Sequence, residues 1–248
     1  MTNPTTMNEQ VGSENGYVAE RRRSATYRLL GELYHEPDEK QLERLAAAHP
    51  GAVGIDTERL VDAAGDVQSL RLDRARLFVG PFELAAPPYE SVYVDSGDRV
   101  MTESTETVRA EYRRAGVDVD LDEPADHVAA ELEFVSLLVA TELEAIEAKE
   151  FEAAEHYLER QYEFLSAHLG RWISELADDV REHADTGFYR ALADETRRFV
   201  EADGHLLSDR LDRLETTDDD VLDVLDALKA PGTVDEYESG TTGGGENR

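Results

Sequence analysis

The sequence predicts an all-α protein: a single helical-bundle domain of about eight or nine helices with a long proline-rich irregular loop and disordered tails. Three observations carry that expectation. Apolar residues recur at three- and four-residue spacing along most of the chain, the periodicity of amphipathic helices. No apolar and polar alternation bounded by hairpin turns competes with it. No repeat of roughly 20 to 50 residues is visible, so a bundle is expected rather than a solenoid.

Taken in order, residues 1–16 (MTNPTTMNEQVGSENG) are polar and turn-rich and are expected to form a disordered tail. The folded domain is expected over residues 17–230. Tyr27, Leu30, Leu33 and Tyr34 make a first stripe, Leu42 and Leu45 a second, and Leu70, Leu72, Leu77 and Phe78 a third that closes at Gly80-Pro81. Residues 80–100 (GPFELAAPPYESVYVDSGDRV) break the pattern. Pro87-Pro88 forbids helix and favours extended geometry, and an irregular segment carrying Phe82, Tyr89 and Tyr93 points to function rather than to simple solvation. Val128, Leu132, Val135 and Val139 then repeat at helical spacing up to about Lys149. Further stripes follow at Tyr157, Phe164 and Leu165, at Trp172, Ile173 and Leu176, at Phe188, Leu192, Phe199 and Val200, and at Val221, Leu222, Leu225 and Leu228. Residues 231–248, acidic and glycine-rich, are expected to form a second disordered tail.

Composition narrows the function classes. The 248 residues contain no cysteine, which removes disulfides, thiol catalysis, cysteine zinc sites and iron-sulfur clusters together. Against 56 Asp and Glu stand 25 Lys and Arg, a formal net charge of -31, and only Lys40, Lys149 and Lys229 are lysines. Such a surface repels nucleic acid and repels itself in dilute buffer, whereas salt at about 1 M confines that repulsion to about 3 Å. The balance is that of a protein from a salty, halophile-like cytoplasm, and an acidic patch for a basic partner is compatible with it. No apolar run approaches the roughly 20 residues of a membrane span. The arginines of AERRRSATYRLLGELY precede a helix-periodic run interrupted by Glu32, not the apolar core of an export signal. A cytoplasmic location is expected.

The stretch EPADHVAAELEF, residues 123–134, leaves two readings open. In one it is a helix start: Pro124 suits a first turn, Asp126 favours the positive helix end, and His127 is a neutral imidazole making one hydrogen bond. In the other, Asp126 and His127 form the corner of a binding or catalytic site, with Glu131, Phe134 and Leu138 on the same helix face as His127. A carboxylate-bridged di-iron centre needs two Glu-x-x-His motifs; Glu32 and His35 supply one, and His49, His156, His168, His183 and His205 lack the spacing for another. No metal and no cofactor are therefore expected. Neither a phosphate-binding loop nor a G-x-S-x-G element occurs. Trp172, Phe188, Tyr189 and Phe199 are expected in the core.

Three stretches, in order, resemble the TorD/DmsD family of redox-enzyme maturation chaperones, which includes the NarJ-like nitrate reductase chaperones. They are ARLFVGPFELAAPPYESVY (residues 75–93), EPADHVAAELEF, and YEFLSAHLGRWISELADDVREHADTGFYRALADETRRFV (residues 162–200). The likeness spans roughly residues 20 to 205. It implies an all-helical cytoplasmic chaperone without catalytic turnover, one that binds the twin-arginine signal peptide of a molybdopterin-containing oxidoreductase precursor until cofactor insertion and export. The client would be a dimethyl sulfoxide, trimethylamine oxide or nitrate reductase-like enzyme, and the chaperone a monomer or a helix-exchanged dimer. It implies peptide-contacting positions at Pro87, Pro88, Tyr89, Ser91, Asp126 and His127, supported by Phe82, Tyr93, Glu123, Pro124 and Glu131. Tyr89 stands where the best-known members carry tryptophan. A titration of His127 near neutrality would tune release. Two other readings are an accessory subunit that stays with a respiratory reductase, and a helical metal- or nucleotide-dependent enzyme.

Overall fold

The computed structural model describes residues 4–48, 52–80, 84–95, 103–117 and 123–216, with side chains described from residue 16 to residue 214. Over these residues the chain forms ten α-helices and one π-helical turn, and no strand. The first helix, α1 (Pro4–Tyr34), begins well ahead of residue 17, so the polar stretch expected as a tail carries helical backbone from Pro4 onward. The stripe at Val221 to Leu228, the expected second tail and Phe82 all lie outside the described residues.

Short helices follow. Aspartates start α2 (Glu39–Ala47), α3 (Thr57–Ala64) and α4 (Val67–Arg74): Asp38, Asp56 and Asp66 accept hydrogen bonds from the backbone N–H of Gln41, Arg59 and Ser69 at 2.6, 2.9 and 2.9 Å. Each such cap satisfies a donor that the helix cannot. The chain leaves α4 through the π-turn Ala75–Val79, closed by Gly80 N–H donating to Ala75 O, with Gly80 at a positive φ of 37°. Leu70, Leu77 and Phe78 turn inward as expected, but Leu72 is 65% exposed. Residues two positions apart lie about 200° apart around a helix, so Leu70 and Leu72 cannot share one face. Within the proline-rich segment, residues 84–89 are non-helical, and α5 (Glu90–Val94) is a helical turn that the prolines hid.

The remaining helices are α6 (Glu103–Arg114), α7 (Val128–Ala148), α8 (Phe151–Ala167), α9 (Leu169–His183) and α10 (Gly187–Thr216). The core runs through α7, which packs between α1 and α8, while α10 packs on α9, α8 and α3. Trp172, Phe188 and Tyr189 are fully buried and Phe199 nearly so. Helices α1 and α7 approach closely at Gly31, where an added Cβ would sit 2.9 Å from Glu133 Cγ and 3.1 Å from Ala129 O. Reciprocal bonds between Ser24 and Ser136, each hydroxyl donating to the other's carbonyl at 3.1 and 2.9 Å, tie the same pair of helices.

A buried polar network joins α1, α7, α8 and α10. Arg23 donates to Asp203 at 2.6 and 2.9 Å, to Gln161 Oε1 at 2.9 Å and to Glu20. Tyr27 OH donates to Asp203, Gln161 donates to Glu142 at 2.6 Å, and Arg210 donates to Glu20. Burial opposes ionisation of Glu20, but Arg23 and Arg210 outweigh it and hold this carboxyl below its usual range. Glu142 goes the other way: burial and then the Glu20 charge push it up to about 7.

Candidate functional site

Residues of the proline-rich segment and of the 123–134 stretch meet where α5 and α7 begin. Tyr89 and His127 form an isolated antiparallel bridge. Its two bonds run from Glu90 N–H to Asp126 O at 3.0 Å and from Val128 N–H to Pro88 O at 2.9 Å. A dipeptide of prolines cannot continue a helix, and an extended Pro88-Tyr89 can pair in this way.

The helix start lies further along than expected. His127 caps α7, its Nδ1 accepting from Ala129 N–H at 3.1 Å, so the ring carries its proton on Nε2. Pro124 therefore sits in the turn before the cap and not in the first helical turn. Asp126 serves the neighbouring helix: its Oδ2 accepts from Ser91 N–H at 3.1 Å, within the first turn of α5. Tyr112 of α6 donates to Ala125 O at 2.7 Å and fixes the turn from a third side.

Burial sorts the expected contact residues. Ser91, Asp126 and Glu131 are fully buried, Pro88 and His127 are buried, Pro87, Tyr89, Tyr93 and Pro124 are partly exposed, and Glu123 is exposed. The accessible face thus consists of Tyr89 with Pro87, Pro124 and Glu123, and the buried residues hold it in place. The Tyr89 ring stands edge-on to the His127 imidazole, 5.4 Å between centroids. Burial first, and then the Glu123 carboxylate, push the Tyr89 phenol up to about 12. Burial, followed by His35 and Arg74, pushes His127 down to about 3. The packing speaks against a titration of His127 near neutrality: the imidazole is buried, feels the Arg74 charge and spends one nitrogen on the helix cap.

Behind this face lies a set of side chains that residue spacing did not connect. Glu131 Oε2 accepts from Trp172 Nε1 at 3.1 Å. Glu90, 1% exposed, faces His168 Nδ1 at 3.0 Å, so the imidazole donates from that nitrogen. Tyr93 stacks on Trp172 at 5.6 Å and 21°, and its hydroxyl donates to Asp179 at 3.0 Å. Glu90 lies in the stretch 75–93 and His168 and Trp172 in the stretch 162–200, so order along the chain was the one signal that could have joined them. Glu32 and His35 are occupied elsewhere, in pairs with Arg44 and Glu133. Among the described residues no group of three or more His, Asp or Glu side chains is placed to hold a metal ion.

All three stretches thus converge on one place, and a family comparison reaches into each of them. Residues 32–178 match the family model described as nitrate reductase delta subunit. The chain belongs to that family. Similar curated relatives are chaperones: the protein TorD of Vibrio parahaemolyticus, 28% identical over 60% of this chain and 73% of its own length, and the Tat proofreading chaperone DmsD of Salmonella typhimurium, 29% identical over 68% and 82%. TorD of Vibrio cholerae is 31% identical over 61% of this chain and 68% of its own. A crystal structure from Archaeoglobus fulgidus, described as a redox enzyme maturation protein, shares the helical fold with a TM-score of 0.52 at 23% identity, over 72% of this chain and 93% of the other. Among the described residues of the present chain no helix is long and apolar enough to cross a membrane.

Proposed function

We propose that this chain is a cytoplasmic maturation chaperone for a molybdopterin-containing oxidoreductase, holding the twin-arginine leader of its precursor until cofactor insertion and export. The observation that carries the reading is the clip itself: membership of the family coincides with a partly exposed Tyr89 pinned in an extended conformation by buried side chains. Such a preformed face suits an apolar peptide, because little ordering entropy remains to be lost on binding.

Magnitudes rank the contacts. An exposed ion pair such as Glu123 with a leader arginine contributes about 0 to 1 kcal/mol, and less in high salt. Burying a large apolar side chain against Tyr89 contributes roughly 1.5 to 3 kcal/mol and does not weaken with salt. The leader's apolar run therefore supplies most of the affinity, and its arginines, facing Glu123, supply orientation. Asp126, Ser91 and His127 position the clip rather than touch the peptide.

The family's description as a reductase subunit favours a second reading, an accessory subunit that stays with the mature enzyme. Pulling the tagged chain from its native host at native salt, and identifying the co-purifying proteins by mass spectrometry, separates the two. A precursor that still carries its leader is the expected result; recovery of mature complex alone would establish the accessory reading instead.

A further inference from the structure

The interior behind the clip holds three carboxyl groups, and among the described residues none of them pairs with a lysine or arginine. Glu90, Asp126 and Glu131 are all essentially inaccessible to solvent, and among the described residues the one ion-pair partner any of them has is His168. Asp126 spends Oδ2 on Ser91 N–H, and its Oδ1 has no donor. Glu131 spends Oε2 on Trp172 Nε1, and its Oε1 likewise has no donor. The Tyr112 hydroxyl, which also faces this cluster from α6, is already committed to Ala125 O. A dry carboxylate in the place of Glu131 would stand beside the Glu90 and Asp126 charges with one oxygen unsatisfied. A neutral Glu131 has neither difficulty, because its proton gives it a hydrogen bond to donate to Glu90.

We propose that Glu131 and Glu90 share one proton as a latch on the clip: while Glu131 holds it, α5 and the Tyr89 segment stay docked on α7, and its loss to solvent as pH rises undocks them. Glu90 directly follows Tyr89 in the chain, so the acid pair acts at the root of the segment that pairs with His127. Burial first, and then the Glu90 charge, raise Glu131 well above the usual carboxyl range, with the Trp172 N–H opposing them. The consequence for release rests on the peptide-binding reading: affinity for a leader should be constant while the latch is closed and fall about tenfold per pH unit once it opens.

The protein carries its own reporter, since Trp172 is the sole tryptophan and donates to Glu131. Its emission is followed without peptide from about pH 6 to about pH 9.5, below the range of ordinary tyrosine ionisation. Wild type is expected to show a one-proton transition. Glu131→Gln, whose amide donates to Glu90 with no proton to lose, should show none, and Glu90→Gln should move the transition to lower pH. A flat wild-type trace, or the same transition in Glu131→Gln, would overturn the latch. Anisotropy of a labelled twin-arginine leader over the same range separates the two layers. Binding without a matching pH slope overturns the release role, whereas no binding at any pH overturns the peptide reading on which that role rests.

Discussion

At the start of α7, His127 does with a ring nitrogen what aspartate commonly does with a carboxylate oxygen: its Nδ1 takes the Ala129 N–H. The choice has an electrostatic reason. A second carboxylate beside buried Asp126 would add charge to a site already crowded with buried acids, and a neutral imidazole adds none. Burial pushes His127 down to about 3. A histidine held neutral in the fold but free to protonate at about 6.5 when unfolded contributes stability that is present above that value and lost as pH falls toward 3. The ring proton resonances of His127 should therefore keep their neutral positions from about pH 8 to about pH 5; a titration in that window would show that the ring is wetter than its packing implies. The resemblance put Tyr89, Asp126 and His127 in one set of peptide-contacting positions, and the fold brings the three side by side. That Asp126 caps α5 was not legible, because a cap that serves a helix 35 residues away leaves no local pattern.

The clip is seated on the α1–α7 pair: His127 caps α7, Glu131 lies in its first turn, and α1 packs along it. Gly31 permits that contact: the Cβ of an alanine would meet Glu133 Cγ at 2.9 Å and the Ala129 carbonyl at 3.1 Å. Glu133 can swing away but the backbone cannot. Gly31→Ala gains about 1 kcal/mol in helix propensity and loses about 1 to 3 kcal/mol to overpacking. The expected net is destabilisation by up to about 2 kcal/mol in denaturant melts; a stabilised variant would mean that the helices are free to move apart. The long stripes of α1, α7, α9 and α10 were legible because apolar residues there follow the helical period into one core. Helix α5 was not, because Glu90–Val94 is too short to show a period and follows two prolines. The exposure of Leu72 was missed for a different reason: grouping it with Leu70 ignored the angle between them.

Across the whole molecule, buried charge is arranged in two unlike ways. In the network of Glu20, Arg23, Asp203 and Arg210, two guanidinium groups balance two carboxylates, and Glu142 stands beside them as a further carboxyl. With Glu142 pushed up to about 7, the unfolded chain ionises this residue from about pH 4.5 while the folded chain keeps the proton, so stability falls as pH rises across that window. Glu142→Gln should remove roughly 3 kcal/mol of that pH-dependent loss, seen as a smaller drop in denaturation midpoint between about pH 4.5 and 7; identical slopes for the two proteins would contradict the assignment. Among the described residues no guanidinium group pairs with the three carboxyls behind the clip, which on the proposal above rest on one shared proton. Net charge and helical class could be read from composition and period, whereas the partners inside these two clusters come from four or five separate helices and become visible only in the fold. The central claim, that the Tyr89 face receives a leader peptide, is tested most directly by titrating a labelled twin-arginine leader into wild type and Tyr89→Ala at native salt. Micromolar binding is expected, weakened about tenfold in the variant, roughly 1.4 kcal/mol, with unchanged helical circular dichroism; equal affinity in the two proteins would contradict it.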